Sequence, residues 1–192
     1  MREVAIRTGR EEDVNGVLEI LHYWSGAQGE EASKQGYLRH VYAADALRES
    51  IRRGWCVIAV AGSRVLSVYL IHGGVNAEQV ETRRRMVRER VAAGRLPEGR
   101  YALTLVSATR EGFSGRGYSR ATFEKLREQV SGEFDYFVGI GSHDNEATQR
   151  SAVRMGWSRV GPVEGGVLGI AATTADAEAR LKSFVSDLPY QT

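Results

Sequence analysis

The loop of residues 114–119 has the residue types and spacing that bind a phosphate. Gly115 and Gly117 allow a tight turn with exposed backbone N–H groups, and the loop runs directly into an amphipathic segment with helical spacing. The first turn of a helix leaves its own N–H groups unpaired and presents the positive end of the helix dipole. Arg116 and Arg120 add positive side chains at the same place. The sequence therefore predicts an anion site at this loop.

Two common nucleotide-binding motifs do not fit this loop. A P-loop needs a lysine and then a serine or threonine directly after its last glycine, and Tyr118 occupies the lysine position. The dinucleotide motif GxGxxG fails because Arg120 occupies the position of its third glycine. These two common nucleotide interpretations are therefore weakened.

Length and composition are typical of one globular domain, which we expect to cover residues 1–192, with 42% hydrophobic and 26% charged residues. Cys56 is the single cysteine, so an intramolecular disulfide or a cysteine-based zinc cluster is excluded, and we expect no metal. No apolar run reaches about 18 residues, and the start of the chain lacks a secretory signal. We therefore expect a cytoplasmic protein without a membrane partner. A net charge of +2 is too small to argue by itself for a nucleic-acid partner, and we do not expect one.

Hydrophobic periodicity predicts alternating helices and strands. The segment 25–39 is polar, contains glycines and has no hydrophobic period, which indicates a flexible loop or a poorly formed helix. The predicted strands are 3–8, 55–62, 64–74, 101–109, 134–141, 157–161 and 165–174, with hairpins at 62–63 and between the last two. The predicted helices are 14–21, 43–53, 77–93, 118–130, 145–155 and 177–188.

Two motifs in this order of elements carry a family resemblance. Residues 114–119 match the pattern Gln/Arg-x-x-Gly-x-Gly/Ala at its fourth position, Gly117, and depart from it at Ser114 and Ser119. Asn145, followed at the expected distance by the Gly-Trp pair at 156–157, matches Asn-x-x-Ala-(x)n-Gly-Phe. The sequence thus resembles the GNAT superfamily of acetyl-coenzyme A dependent N-acyltransferases.

The resemblance implies an α/β (α+β) fold with a mixed central sheet of about six to seven strands, flanked by helices. It places a splay between the fourth strand (101–109) and the fifth (134–141), and an inserted helix between the third and fourth. It also implies acetyl-coenzyme A as the acyl donor, with the backbone N–H of Ala108 polarising the thioester carbonyl as an oxyanion hole. The cofactor-binding residues it implies are Ser107, Ala108, Thr109, Ser114, Gly115, Arg116, Gly117, Tyr118, Ser119 and Asn145.

The acid and base common in this family are missing. Ala152 stands at the usual tyrosine position, and residues 104–106 offer no carboxylate. His143 is the candidate for proton transfer, because an ordinary histidine pKa of about 6.5 suits a reaction near neutrality. The alternative is a loop histidine that pairs with Asp144 or caps the next helix.

His72 and the carboxylates at 30–31 are further candidates for the missing acid and base, and we assign that role to neither. The alternatives are the end of a strand for the histidine and a solvated polar loop for the carboxylates. The small residues Gly139, Gly141 and Ala152 leave room for an acyl group larger than acetyl, or they relieve strain where two strands splay.

The function that follows is direct transfer of an acyl group from the thioester to a small-molecule amine, without a covalent intermediate on Cys56. The alternatives are a carrier-protein or aminoacyl-tRNA donor, and a non-catalytic coenzyme A-binding module with a regulatory role.

The inserted segment 77–93 mixes arginines and glutamates, which is typical of a solvated helix face with local ion pairs. The alternative is recognition of an anionic acceptor, a carrier protein or RNA. Met86, Val87 and Val91 lie together on such a helix and are expected to be buried or to form a homodimer contact.

Overall fold

The computed structural model describes residues 3–26, 43–71, 77–141, 145–163 and 166–186. The chain divides into two compact units. The first comprises Met1–Val75 and Leu105–Gln129, and the second comprises Asn76–Thr104 and Val130–Thr192. That residues 1–192 form one domain stays a prediction.

Helices and strands follow one another in the order that the hydrophobic periodicity predicts. The strands are β1 (Val4–Thr8), β2 (Cys56–Ala61), β3 (Arg64–Ile71), β4 (Tyr101–Thr109), β5 (Tyr136–Gly141), β6 (Ser158–Val163) and β7 (Gly166–Ala172). The helices are α1 (Val14–Gly26), α2 (Ala44–Arg52), α3 (Ala77–Ala92), α4 (Tyr118–Val130), α5 (Glu146–Arg154) and α6 (Ala175–Ser186). Ser25 and Gly26 belong to α1 rather than to the predicted loop, and residues 27–42 lie outside the described part of the chain.

The first unit is built on a sheet in which β1, β2 and β3 are neighbours and β3 lies next to the C-terminal part of β4. β2 and β3 form the predicted antiparallel hairpin. Its register shifts between Ala59 and Val60, so that Leu66 is an extra residue in a β-bulge. The carbonyl of Leu66 accepts a hydrogen bond from the N–H of Arg110 at 2.8 Å, which fixes the chain where it leaves β4.

The core of the first unit consists of the apolar side chains that helices and strands present to one another. On α1, Val14, Val17 and Leu21 recur at helical spacing and are at most 2% exposed. Phe123 of α4 packs against Tyr69 of β3, with ring centroids 5.2 Å apart. Full burial of one such side chain stabilises a fold by about 1.5–3 kcal/mol, so this packing holds β3, α1 and α4 in place around the end of β4.

The second unit contains the first part of β4 and the strands β5, β7 and β6, in that order. β4 and β5 are parallel, with Tyr101–Leu103 opposite Tyr136–Val138. β7 is antiparallel to both β5 and β6, so the predicted C-terminal hairpin is confirmed. Pro162 lies in β6, the last strand of this order, where a missing backbone N–H is tolerated. The splay between β4 and β5 stays a prediction.

Helix α3 is the predicted insertion between β3 and β4. Glu81 pairs with Arg88 at 2.6 Å and with Arg84 at 3.8 Å, which confirms the interpretation of local ion pairs on an exposed face. Of the three apolar residues expected to be buried, Val87 is 5% exposed, and Met86 and Val91 are half-buried.

Candidate functional site

The loop between β4 and α4 has a backbone conformation that requires glycine. Gly112, Gly115 and Gly117 have φ angles of 77°, 77° and 80°. A Cβ at any of the three would meet no atom within 4 Å, so conformation rather than packing demands glycine there. Residues 114–117 are exposed. The turn therefore presents its backbone to solvent, as binding of an anion requires.

Helix α4 begins where the predicted anion site needs a helix N-terminus. The carbonyl of Gly117 accepts the N–H of Ala121 at 3.0 Å and so closes the first turn of the helix. The N–H groups that precede Ala121 have no carbonyl one turn back within the helix. Their dipoles favour negative charge at this end. The structure thus brings the predicted residues 115–119 together at one point.

A pair of hydroxyl groups connects the end of β4 to the first turn of α4. Ser107 Oγ and Ser119 Oγ are 2.8 Å apart, and either group can donate. Ser107 departs from the apolar pattern of its strand, and Ser119 departs from the last position of the family's loop pattern. Both are predicted cofactor residues. A hydroxyl pair at a helix N-terminus adds a side-chain donor to the backbone donors there.

The backbone at the end of β4 is held from two sides. Ser67 of β3 is fully buried, and its hydroxyl donates to the carbonyl of Ala108 at 3.2 Å and lies 2.9 Å from Thr109 Oγ1. From α1, Trp24 Nε1 donates to the carbonyl of Thr109 at 2.8 Å. These bonds fix the peptide groups next to the N–H that the sequence predicts to polarise the thioester. A donor held in place before the ligand arrives needs no reorganisation during the reaction.

A cavity of about 190 Å³ opens beside this strand end, and the positive and negative side chains that line it balance one another in charge. Arg110 donates to both carboxylate oxygens of Glu19, at 2.6 and 2.9 Å, and this pairing holds the pKa of Glu19 below its ordinary value. A hydrogen bond with Glu111 raises the pKa of Tyr23. The lining residues are Glu19, Ile20, Tyr23, Arg64, Arg110 and Glu111.

Cys56 has the properties of a structural cysteine. Its side chain is fully buried in β2, and burial raises the pKa of the thiol to about 12. A neutral, inaccessible thiol is a poor nucleophile. This agrees with the expectation that no acyl group is carried on Cys56.

Asn145 caps helix α5 in the second unit. Its side-chain oxygen accepts the N–H of Thr148 at 2.9 Å, and the residue is 6% exposed. Gly156, with φ of 84°, lies just beyond the other end of the helix, where the N–H of Trp157 donates to the carbonyl of Ala152. The second sequence motif therefore marks a capped helix, and a contact of Asn145 with a cofactor stays a prediction.

Four of the residues weighed from the sequence lie outside the described part of the chain: His143, His72, Glu30 and Glu31. Within the described residues, no cluster of histidine, cysteine, aspartate or glutamate could hold a metal ion. A search of the same residues finds no helix with the length and apolar character needed to cross a membrane.

The sequence analysis missed Ser67 and Trp24. The sequence contained a signal for each residue. Ser67 is the one polar residue in the apolar run 65–71. Trp24 carries an indole N–H, which needs an acceptor when it is buried. Neither signal says which backbone group is the partner.

Comparison with known proteins identifies the fold. No protein-family model matches the sequence, and no curated protein matches it. Among solved structures, the PaiA N-acetyltransferase of Thermoplasma acidophilum in complex with coenzyme A is 11% identical, with a TM-score of 0.61 over 88% of this chain and 99% of that one. A GNAT-family acetyltransferase of Listeria monocytogenes is 13% identical, with a TM-score of 0.61 over 89% and 95% of the two chains. The polyamine N-acetyltransferase of Drosophila melanogaster is 9% identical, with a TM-score of 0.57 over 88% and 98%.

These likenesses show a mixed α/β fold of the kind found in acetyltransferases. The chain has the GNAT fold, which confirms at the level of the fold the resemblance that the two motifs carry.

Proposed function

We propose that this protein is an N-acyltransferase that moves an acetyl or somewhat larger acyl group from a coenzyme A thioester to an amine. The observation that carries the proposal is the loop of residues 112–117, whose positive-φ glycines expose backbone at the N-terminus of α4. A diphosphate is an anion suited to such a loop. The likeness to PaiA, whose structure contains coenzyme A, supports this choice of ligand.

In the proposed complex the loop from Ser114 to Ser119 binds the diphosphate of the coenzyme, and the strand end 107–109 binds the pantetheine arm. The buried bonds from Ser67 and Trp24 support this role, because they keep the strand end in one conformation. Binding to a preorganised surface costs less conformational entropy than binding to a mobile one.

The chemical step is direct attack of a neutral amine on the thioester carbonyl. The amine nitrogen forms a bond to the carbonyl carbon, and the N–H of Ala108 stabilises the oxyanion that develops. The tetrahedral intermediate collapses with loss of the C–S bond, the nitrogen loses a proton, and the thiolate gains one. We propose His143 as the residue that handles one of these protons, since Ala152 replaces the tyrosine of the family pattern.

The proposed acceptor is a small-molecule amine. Two structural neighbours are named as agmatine and polyamine N-acetyltransferases, which supports this class of acceptor. Room for an acyl group larger than acetyl is supported at Gly141, where a Cβ would meet open space. A cytoplasmic location is part of the same proposal.

A thiol-release assay tests the function. Purified protein is mixed with acetyl-, propionyl- or butyryl-coenzyme A and a panel of amines that includes agmatine and spermidine, and free thiol is measured over time. We expect amine-dependent release that the His143→Ala variant slows by about 100-fold, in the range of a general acid or base. Tight binding without release would favour the regulatory module, and weak binding of every coenzyme A thioester would favour a carrier-protein or aminoacyl-tRNA donor.

A further inference from the structure

The ring of Phe113, in the loop between β4 and α4, contacts two arginines from different parts of the first unit. The guanidinium carbon of Arg64, at the start of β3, is 5.3 Å from the ring centroid of Phe113. That of Arg116, two residues before α4, is 5.0 Å from the same centroid. Phe113 directly precedes residues 114–119, so two positive charges are gathered on one ring beside the anion loop.

Among the residues that the structure describes, neither arginine forms a salt bridge with a carboxylate. Arg64 is close enough to Glu19 to help lower the pKa of that carboxyl, and Arg116 donates to the carbonyl of Gly112 at 3.4 Å. The two acidic side chains of the adjoining cavity are already engaged, since Glu19 accepts two bonds from Arg110 and Glu111 is hydrogen-bonded to Tyr23.

Arg53 shows the contrasting arrangement within the same unit. Its guanidinium lies 4.8 Å from the centroid of Trp55, and it also donates to Glu49 at 2.6 Å. A ring contact and an acidic partner therefore occur together there. At Phe113 the ring contacts are made twice, and neither arginine forms a salt bridge with a carboxylate of the described residues.

Two like charges held close together repel each other, and a bound anion removes that repulsion. Guanidinium groups donate in a planar fork that fits phosphate oxygens. The ring restricts both side chains before any ligand binds, which lowers the entropic cost of binding. The described features therefore fit a second phosphate group close to the one bound by the loop.

We propose that Arg64 and Arg116, held against Phe113, form a subsite for the 3′-phosphate of coenzyme A. This inference rests on the proposed function, because it assumes that the loop binds the diphosphate of the same molecule. The 3′-phosphate is a phosphomonoester with close to two negative charges at neutral pH, and the two guanidinium groups on Phe113 match it in charge. The subsite makes the protein selective for coenzyme A over its 3′-dephospho form.

The test is a calorimetric titration with coenzyme A and with 3′-dephospho-coenzyme A. We expect the unmodified protein to bind coenzyme A about tenfold more tightly than the dephospho form, the size of one or two charge-assisted contacts. Arg64→Gln is expected to reduce this ratio to below threefold while leaving the affinity for dephospho-coenzyme A unchanged. Arg116→Gln is also expected to reduce the ratio to below threefold, and it should weaken the binding of both ligands, because Arg116 belongs to the loop that binds the diphosphate. Arg53→Gln is the matched control, since it also removes a ring-stacked guanidinium, and the ratio should stay at its original value.

The possible results separate the two proposals. An unchanged ratio in both variants, with coenzyme A still bound, overturns the subsite and leaves the proposed function standing. An equal loss of affinity for both ligands also overturns it, because the arginines would then serve the loop and not the 3′-phosphate. Failure of the unmodified protein to bind either ligand overturns the subsite together with the proposed function.

Discussion

Glycines serve opposite purposes in two regions of this protein, the loop between β4 and α4 and the strand β7. In the loop of the first unit, Gly115 and Gly117 have positive φ angles, and a Cβ at either would meet nothing. In the sheet of the second unit, a Cβ at Gly166 would lie against the carbonyl oxygen of Gly141, and one at Gly169 would lie 3.2 Å from Trp157 Cε3.

The difference shows how to separate a glycine that exposes backbone from one that allows close packing. The loop glycines permit a conformation that side chains disfavour, and the space above them is free for a ligand. A Cβ at Gly166 or Gly169 would press against neighbouring atoms, so these two glycines allow close packing within the fold. Substitutions in the two regions should therefore affect different properties.

The largest effect on stability is expected from Gly166→Ala. The new Cβ would come within 3.0 Å of a backbone carbonyl of the neighbouring strand, so the backbone of β5 or β7 has to shift, at a cost of about 3 kcal/mol. Gly115→Ala is the counterpart in open space, and positive φ alone should cost about 1 kcal/mol there. Urea unfolding measures both. Equal losses in the two variants would contradict the division between packed and open glycines.

An intermediate effect is expected from Ser67→Ala. The variant loses the hydroxyl that holds the carbonyl of Ala108, so the N–H of Ala108, the proposed donor to the thioester carbonyl, is less firmly fixed. We therefore expect kcat to fall about tenfold with little change in the Kd for acetyl-coenzyme A. Stability should fall by about 1–2 kcal/mol.

The matched control is Ser50→Ala, which removes a buried hydroxyl bonded to the carbonyl of Ala46 in α2. It should lose similar stability and keep its kcat. A parallel decline of kcat in both variants would show that Ser67 acts only on the fold.

A smaller, pH-dependent effect is expected at Asp135 in the second unit. Hydrogen bonds from the side chain and backbone of Arg100 lower the pKa of Asp135 in the folded state. A lowered folded-state pKa means that the carboxylate stabilises the fold at neutral pH and that this contribution is lost as the pH falls through the acidic range of aspartate, below about pH 5.

Asp135→Asn should therefore be less stable than the unmodified protein at pH 7, with the gap closing towards pH 3. Thermal unfolding at several pH values measures it, with Glu98→Gln, an exposed residue, as a charge-matched control. A gap that stays constant across this range would show that the Arg100 contacts contribute nothing through ionisation.

The helices and strands were predicted well from the sequence because the local spacing of apolar residues determines them. The strand 64–71 and the helix 118–130 follow directly from the spacing of their apolar residues. The turn at Gly62, with φ of 63°, and the end of α3 before Gly94 follow from the conformational freedom of glycine. The length of α1 was underestimated, since Ser25 and Gly26 carry no apolar signal and still continue the helix.

The candidate site was predicted only where it is contiguous in sequence. Residues 114–119 form a motif, and the structure assembles them as one turn. Ser67 and Trp24 contact residues about 40 and 85 positions away, and such contacts depend on the register of the sheet. The β-bulge at Leu66 changes that register, and no residue in the hairpin predicts the bulge. The contact of Arg64 with Phe113 was missed for the same reason.

The most direct test of the central claim is a calorimetric titration with acetyl-coenzyme A of the unmodified protein, Gly117→Glu and Gly94→Glu. The two glycines have φ angles of 80° and 63° and open space around them, so both variants carry a similar backbone strain and the same added charge. We expect micromolar binding by the unmodified protein and by Gly94→Glu, and at least about 100-fold weaker binding by Gly117→Glu, a difference of about 2.7 kcal/mol. Equal binding by both variants, or no binding by the unmodified protein, would contradict the assignment of the loop as the coenzyme site.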